Sequence, residues 1–179
     1  MKKARVGLIG TGFMGKAHSL CYALDERVEL AAVSSLEEEV GHKFVNDFGY
    51  RRYSKEWKNV VNDNSIDIID ITAPNFMHAK IAIEASKAGK AVIMEKPLAI
   101  SMEEADELMQ TVRGNHTLAM YAENRRFAPV FNQCRKTIAS GEIGDIKLFR
   151  INELGSGPKH SGWYWDIKKA GGGALIDLG

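Results

Sequence analysis

A doubly wound α/β domain built on a parallel sheet is the fold this sequence predicts, and three observations predict it. Short apolar runs alternate with segments of helical period from the N-terminus to about residue 122. A glycine cluster, Gly10-x-Gly12-x-x-Gly15, closes the first run and opens the first helix. The composition is that of an ordinary globular chain, 45% hydrophobic over 179 residues, with 24 basic against 23 acidic side chains. That length suits one domain and the beginning of another, and it buries roughly 70% of the surface an unfolded chain exposes.

The elements follow in order. Ala4 to Gly10 is short and apolar and reads as a buried strand, with a helix from Phe13 to Leu24 behind it. Val28 to Ser34 is a second buried strand. Val40, Phe44 and Phe48 then share one helical face, and Gly49 stands where a C-terminal cap belongs. Ser54 is placed to cap a short helix that buries Trp57, Val60 and Val61.

Ile66 to Ile71 is the next strand, followed by the turn Thr72-Ala73-Pro74-Asn75 and a helix with Ile81, Ala85 and Ala88 on one side. Ala91 to Glu95 is another strand, and Pro97 ends it because proline has no N–H for a ladder. Ser101 and Glu104 form a capping box for a helix whose buried stripe is Ala105, Leu108, Met109 and Val112. His116 to Ala122 is a further strand. Because each strand is followed by a helix, the sheet is expected to be parallel, with helices on both faces.

Beyond this point the alternation changes. A helix from about Asn124 to Ser140 buries Phe127, Val130, Phe131, Cys134 and Ile138, and Gly141 ends it. A strand is expected at Ile146 to Leu154, broken by Gly155-Ser156-Gly157-Pro158. An aromatic stretch, Trp163-Tyr164-Trp165-Asp166, leads into Gly171-Gly172-Gly173. The domains are therefore taken as 1–123, for nucleotide binding, and 124–179, an incomplete start of a second domain.

Charge and composition exclude several function classes. A net charge of +1 supplies no basic field for a phosphate backbone, so nucleic acid is not an expected partner and a DNA-binding regulator is a poor reading. The longest apolar runs, Leu20 to Leu24 and Leu118 to Ala122, are five residues each, whereas a membrane-spanning helix takes about 20. Glycines interrupt the start of the chain too early for an export signal. Cys21 and Cys134 read as buried thiols in a reducing cytoplasm. The histidines His18, His42, His78, His116 and His160 are scattered and neither cysteine has a metal-ligand neighbour, so no metal is expected.

The glycine cluster carries the first chemical signal. Gly10 permits a tight turn, Gly12 lets the backbone approach a pyrophosphate, and Gly15 allows close packing of helix on strand. Phosphates then face the free N–H groups and positive dipole of the helix start, around Thr11, Phe13 and Met14. An ordinary glycine-rich turn is the alternative. The second strand ends at Ser34, where the residue that reads the adenosine ribose belongs. Serine neither binds the two ribose hydroxyls as a carboxylate does nor repels a 2′-phosphate. A plain polar strand end and an NADP contact are both open readings, and NAD against NADP stays undecided. Glu95-Lys96-Pro97 is the sharpest signal, an acid and a base fixed at a strand end where ligands of such sheets bind.

These motifs together resemble the Gfo/Idh/MocA oxidoreductases, named for glucose–fructose oxidoreductase, inositol dehydrogenase and the rhizopine-catabolism protein. The matching residues are Gly10-Thr11-Gly12-Phe13-Met14-Gly15 with His18, Pro74-Asn75-x-x-His78, Glu95-Lys96-Pro97, Asn124-Arg125-Arg126-Phe127, and Gly171 through Gly179 with Asp177. The resemblance runs in order over essentially the whole chain. It implies a Rossmann domain, followed by the start of an α+β substrate and oligomerisation domain. It also implies an NAD(P)-dependent enzyme acting on a sugar, polyol or sugar derivative, cytoplasmic and homo-oligomeric in its full-length form.

By the same resemblance, Lys96 lies beside the nicotinamide and touches the reacting hydroxyl, and Glu95 contacts the nicotinamide ribose. Thr72, Ala73, Pro74, Asn75 and His78 border the cofactor; His78 also reads as an ordinary helix-start histidine. Asp177 matches a catalytic aspartate that orients a histidine four residues later, a position two past Gly179. The chain is therefore expected to be an N-terminal portion with impaired activity. Arg126 is a candidate substrate ligand or a salt-bridge partner, and Trp163 and Trp165 are candidates for stacking on a sugar or for core packing. The competing readings are a dinucleotide-binding module without catalysis and half of a split enzyme. Lys96 with Asp177 discriminates, because a pure binding module needs neither.

Overall fold

The computed structural model describes residues 2–152, 154, 155, 157 and 161–178. Of the sequence features above, Ser156, Pro158, His160 and Gly179 lie outside the described residues. The chain divides into two compact units, Met1–Ala122 with Trp163–Gly179, and Glu123–Gly162. Residues 163–178, grouped by sequence with the second domain, thus pack with the first unit.

The first unit is built on a six-stranded sheet. Its strands are β1 (Ala4–Ile9), β2 (Val28–Ser34), β3 (Arg52–Ser54), β4 (Ile68–Ile71), β5 (Ala91–Met94) and β6 (Ala119–Tyr121). They pair in the order β3-β2-β1-β4-β5-β6, every pair parallel. This is the Rossmann order, with its crossover between β1 and β4. The helices between these strands are α1 (Phe13–Ala23), α2 (Glu38–Phe48), α3 (Trp57–Val61), α4 (His78–Lys87) and α5 (Met102–Gly114).

Alternation along β1 sends Leu8 to one core and Ile9 to the other. Leu8, Leu30, Val33, Phe44 and Tyr50 form the first cluster; the second joins Ile9, Ile69, Ile71, Ile81, Val92 and Leu108. Each such aliphatic side chain removed from water contributes about 2 kcal/mol. At the opposite end of the sheet, Arg5 Nε and Nη2 grip Asp67 at 2.9 and 2.7 Å and the Arg5 N–H donates to the same carboxylate. This holds β1 to the entry of β4.

Several local expectations are met. Gly49 caps α2 with φ of +82°, and Ser101 Oγ accepts from the Glu104 N–H at 3.3 Å at the start of α5. Glu104 completes the cap on the Ile100 N–H rather than on that of Ser101.

Other expectations are corrected. Ser54 does not cap α3; it ends β3, an edge strand too short and polar to show an apolar run, and its Oγ donates to Glu56 O. The expected strand at Ile146–Leu154 is absent among its described residues, because no described segment offers a ladder to pair with it. The single helix expected from Asn124 is a 3-10 turn, Asn124–Phe127, followed by α6 (Pro129–Ala139), since proline starts a helix afresh. Phe127, Val130 and Phe131 are exposed there. So are both cysteines, each on a helix face that meets no core.

Two short helices close the first unit, α7 (Ile167–Ala170) and α8 (Ala174–Leu178), after the 3-10 turn Gly162–Trp165. Among the described residues no helix is long and apolar enough to cross a membrane.

Candidate active site

The carboxyl ends of β1, β4 and β5 converge on one edge of the sheet. Gly10 leaves β1 with φ of +109°, and a Cβ there would lie 2.5 Å from the Thr72 backbone. A Cβ on Gly15 would lie 2.4 Å from Gly10 O. Both positions are closed to any larger residue. Gly12, the N-cap of α1, differs: a Cβ there would meet nothing within 4 Å, and no side chain caps the helix. The open face above Gly12 and the uncapped N–H groups of the first turn fit a pyrophosphate. The Thr72 hydroxyl donates to Gly10 O at 2.7 Å, tying this turn to the end of β4.

The ribose-reading corner is uncharged. Ser34 is buried and its Oγ donates to Lys55 O at 3.4 Å. Ser35, beside it, accepts from the Thr11 hydroxyl at 2.8 Å and from the Glu37 N–H at 3.2 Å.

The turns after β4 and β5 are laced together by His78. Its ring nitrogens lie 2.7 Å from Ala73 O and 2.7 Å from Pro97 O. Burial pushes its pKa down, opposed by those two carbonyls. Asn75 is also buried, its Nδ2 donating to Ala170 O at 3.0 Å. Both side chains therefore brace the loops, turned onto backbone carbonyls.

Lys96 follows Glu95 at the end of β5, and its Nζ lies 2.5 Å from Asp177 Oδ1 on α8. The two side chains retain 30% and 12% of their exposure, enough access for a small molecule and little enough to strengthen the pair. The other Asp177 oxygen accepts from the Tyr164 hydroxyl at 2.6 Å. Burial and the Asp177 carboxylate push the Tyr164 pKa up to about 12. Tyr164 was missed in the sequence, where it stands between the two tryptophans that drew attention. Trp163 is half-buried and Trp165 exposed, and neither joins the core clusters. Arg126 is exposed, in the second unit.

Behind Lys96 lies a buried ionic cluster. His18 Nδ1 is 2.8 Å from Asp70 Oδ2, and Nε2 is 3.2 Å from Glu95 Oε1. The Tyr22 hydroxyl donates to Asp70 at 2.8 Å. Glu95 Oε2 accepts from the Lys96 N–H at 3.1 Å, while Glu95 Oε1 is buried with no aligned hydrogen-bond donor among the described residues. The strand end thus presents a glycine cradle and a lysine held by an acid.

Family comparison agrees with this geometry. Residues 4–123 match the model of the oxidoreductase family with an NAD-binding Rossmann fold, and residues 131–179 match the Gfo/Idh/MocA C-terminal domain. The chain belongs to the Gfo/Idh/MocA family. Family relatives include the levoglucosan dehydrogenase of Pseudarthrobacter phenanthrenivorans, 37% identical over 99% of this chain and 49% of the relative. The glucose-6-phosphate 3-dehydrogenase of Bacillus subtilis is 30% identical over 100% of this chain and 51% of its own.

A levoglucosan dehydrogenase in complex with NADH and levoglucosan superposes with a TM-score of 0.88 at 34% identity, covering 99% of this chain and 51% of that one. The chain spans about half the length of the curated Gfo/Idh/MocA relatives it matches. Both NAD and NADP are compatible with the family, which includes an NADP-dependent scyllo-inositol dehydrogenase.

Proposed function

We propose that this chain forms the nucleotide-binding part of an NAD(P)-dependent oxidoreductase acting on a hydroxyl of a sugar, polyol or sugar derivative. The single observation that carries this reading is the Lys96–Asp177 pair at the mouth of a glycine-cradled strand end. A binding module has no use for a cation held there. Residues 1–123 are the dinucleotide-binding domain, and 124–179 open the second domain of the family, its last stretch reaching back to the first.

Gly10, Gly12 and Gly15 with Thr11, Phe13 and Met14 hold the pyrophosphate, and Ser34 with Ser35 faces the adenosine end. A nicotinamide bound there would supply the hydride chemistry at the substrate carbon. Lys96 directs an ammonium proton at the substrate oxygen and stabilises the negative charge that develops there, a task suited to a partly desolvated cation. Asp177 keeps the ammonium aimed and charged, and Tyr164 holds the far carboxylate oxygen in place.

We infer measurable binding of NADH or NADPH by the chain. A fluorescence titration with NADH and NADPH tests the reading. A folded sample that binds neither sinks it.

A further inference from the structure

The cluster behind Lys96 has an unusual composition. Asp70 is fully buried in the middle of β4 and Glu95 is 5% exposed at the end of β5. Two carboxylates removed from water so close together do not both stay ionised without a cation between them. The imidazole of His18, projecting from the middle of α1, is within ion-pairing distance of both, 2.8 Å from Asp70 and 3.2 Å from Glu95. Both ring nitrogens face carboxylate oxygens, which accept and do not donate, so the arrangement asks for a proton on each nitrogen.

We propose that His18 is a positioning residue of the nucleotide site, a standing imidazolium that clamps the β4 and β5 strand ends and sets the Glu95–Lys96 corner. The inference rests on the nucleotide-binding reading above for its role and on geometry alone for its charge. Through Asp70 the clamp reaches Tyr22, whose hydroxyl donates to the same carboxylate oxygen, Oδ2. Through Glu95 it reaches Lys96, because Glu95 Oε2 accepts the Lys96 N–H and so fixes the backbone from which the lysine projects. Ligands of such sheets lie beyond the carboxyl ends of the strands. His18 therefore acts on the nucleotide through Glu95 without needing to touch it.

The groups facing the ring are Asp70 from β4, Glu95 from the end of β5, and Tyr22 from its own helix; Tyr50 stands next in line, its hydroxyl 2.9 Å from Ser19 Oγ. Burial alone lowers the His18 pKa. The hydrogen bonds and charges of Asp70 and Glu95 outweigh it and raise the pKa to about 10. The ring therefore stays charged through pH 8, and the stability it contributes is complete below about pH 6.5 and lost as pH rises from there through about 10.

Two measurements on the 179-residue protein test this. In nitrogen-15 NMR of the nucleotide-free protein at pH 8, both His18 ring nitrogens are expected to carry protons. A neutral ring, with one bare nitrogen, overturns the proposal whether or not nucleotide binds. In NADH titrations at pH 7.5, H18Q is expected to weaken binding at least tenfold and H18L further, since the glutamine amide still donates to one carboxylate. H18Q that is folded and binds NADH as tightly as wild type overturns the positioning role. Should H18L fail to fold, H18Q and the wild-type spectrum decide. Wild type that binds neither NADH nor NADPH defeats the nucleotide reading and the positioning role with it, and the ring spectrum then judges the charge clamp by itself.

Discussion

Lys96 Nζ lies 2.5 Å from Asp177 Oδ1, so a strand end and a helix 81 positions further along the chain share one ion pair. Breaking it from either side leaves a half-buried charge without its partner. K96M and D177N are each expected to destabilise the protein. The double variant should cost less than their sum, with a coupling of about 1 kcal/mol by urea unfolding. Strict additivity would show that the pair does not form in solution.

Tyr164 extends that pair by one hydrogen bond. Y164F is expected to lower stability by about 1 kcal/mol. The phenol titrates near 12 in the folded state against about 10 in an unfolded chain. Its contribution is thus complete below pH 10 and lost between 10 and 12. Ultraviolet titration of the tyrosines in wild type and Y164F isolates this group, and a normal midpoint for Tyr164 would refute the contact.

The three glycines of the cradle predict opposite outcomes. G15A drives a methyl into Gly10 O, and G10A adds a left-handed backbone to a collision with Thr72; both are expected to cost several kcal/mol. G12A meets open space and is expected to leave stability within about 0.5 kcal/mol of wild type. Its NADH affinity should fall sharply all the same. Thermal melts paired with fluorescence titration separate the two effects, and unchanged affinity in G12A would place the phosphates elsewhere.

Asp67 sets part of the acid limit. The Arg5 guanidinium and N–H hold its carboxyl well below the usual carboxylate range. A depressed pKa gives stability that is present above about pH 4 and lost as pH falls further. Melting temperatures of D67N should lie below wild type at pH 7 and converge with it toward pH 2. A constant gap across that range would contradict the linkage.

Much of the sheet was legible because β1, β2, β4 and β5 are buried on both faces and read as near-continuous apolar runs, broken in β4 by Asp70. β3 was not, since Arg52-Tyr53-Ser54 is a three-residue edge with polar neighbours. Phe127, Val130 and Phe131 have the spacing of a buried stripe, but periodicity says that a face is apolar and not what covers it. Lys96 and Asp177 were readable as residues and their contact was not, because only the return of residues 163–178 to the first unit creates it. Tyr164 became visible for the same reason. A signal for His18 did exist in the sequence: an aspartate in the middle of the apolar run Ile68–Ile71 needs a buried cation, and α1 carries His18 on its packed side.

The fold-back of residues 163–178 bears on how this chain tolerates change. Its register against the strand ends is held by local anchors, Asn75 on Ala170 and Gly171 pressed against Ile100. Doubling the length of the excursion over residues 123–162 costs only about 0.6 kcal/mol of loop-closure entropy. Segments inserted into or removed from that excursion should therefore leave Lys96 and Asp177 in contact. Evolution is then free to remodel the intervening stretch, trading its length and chemistry, while the reactive pair keeps its geometry.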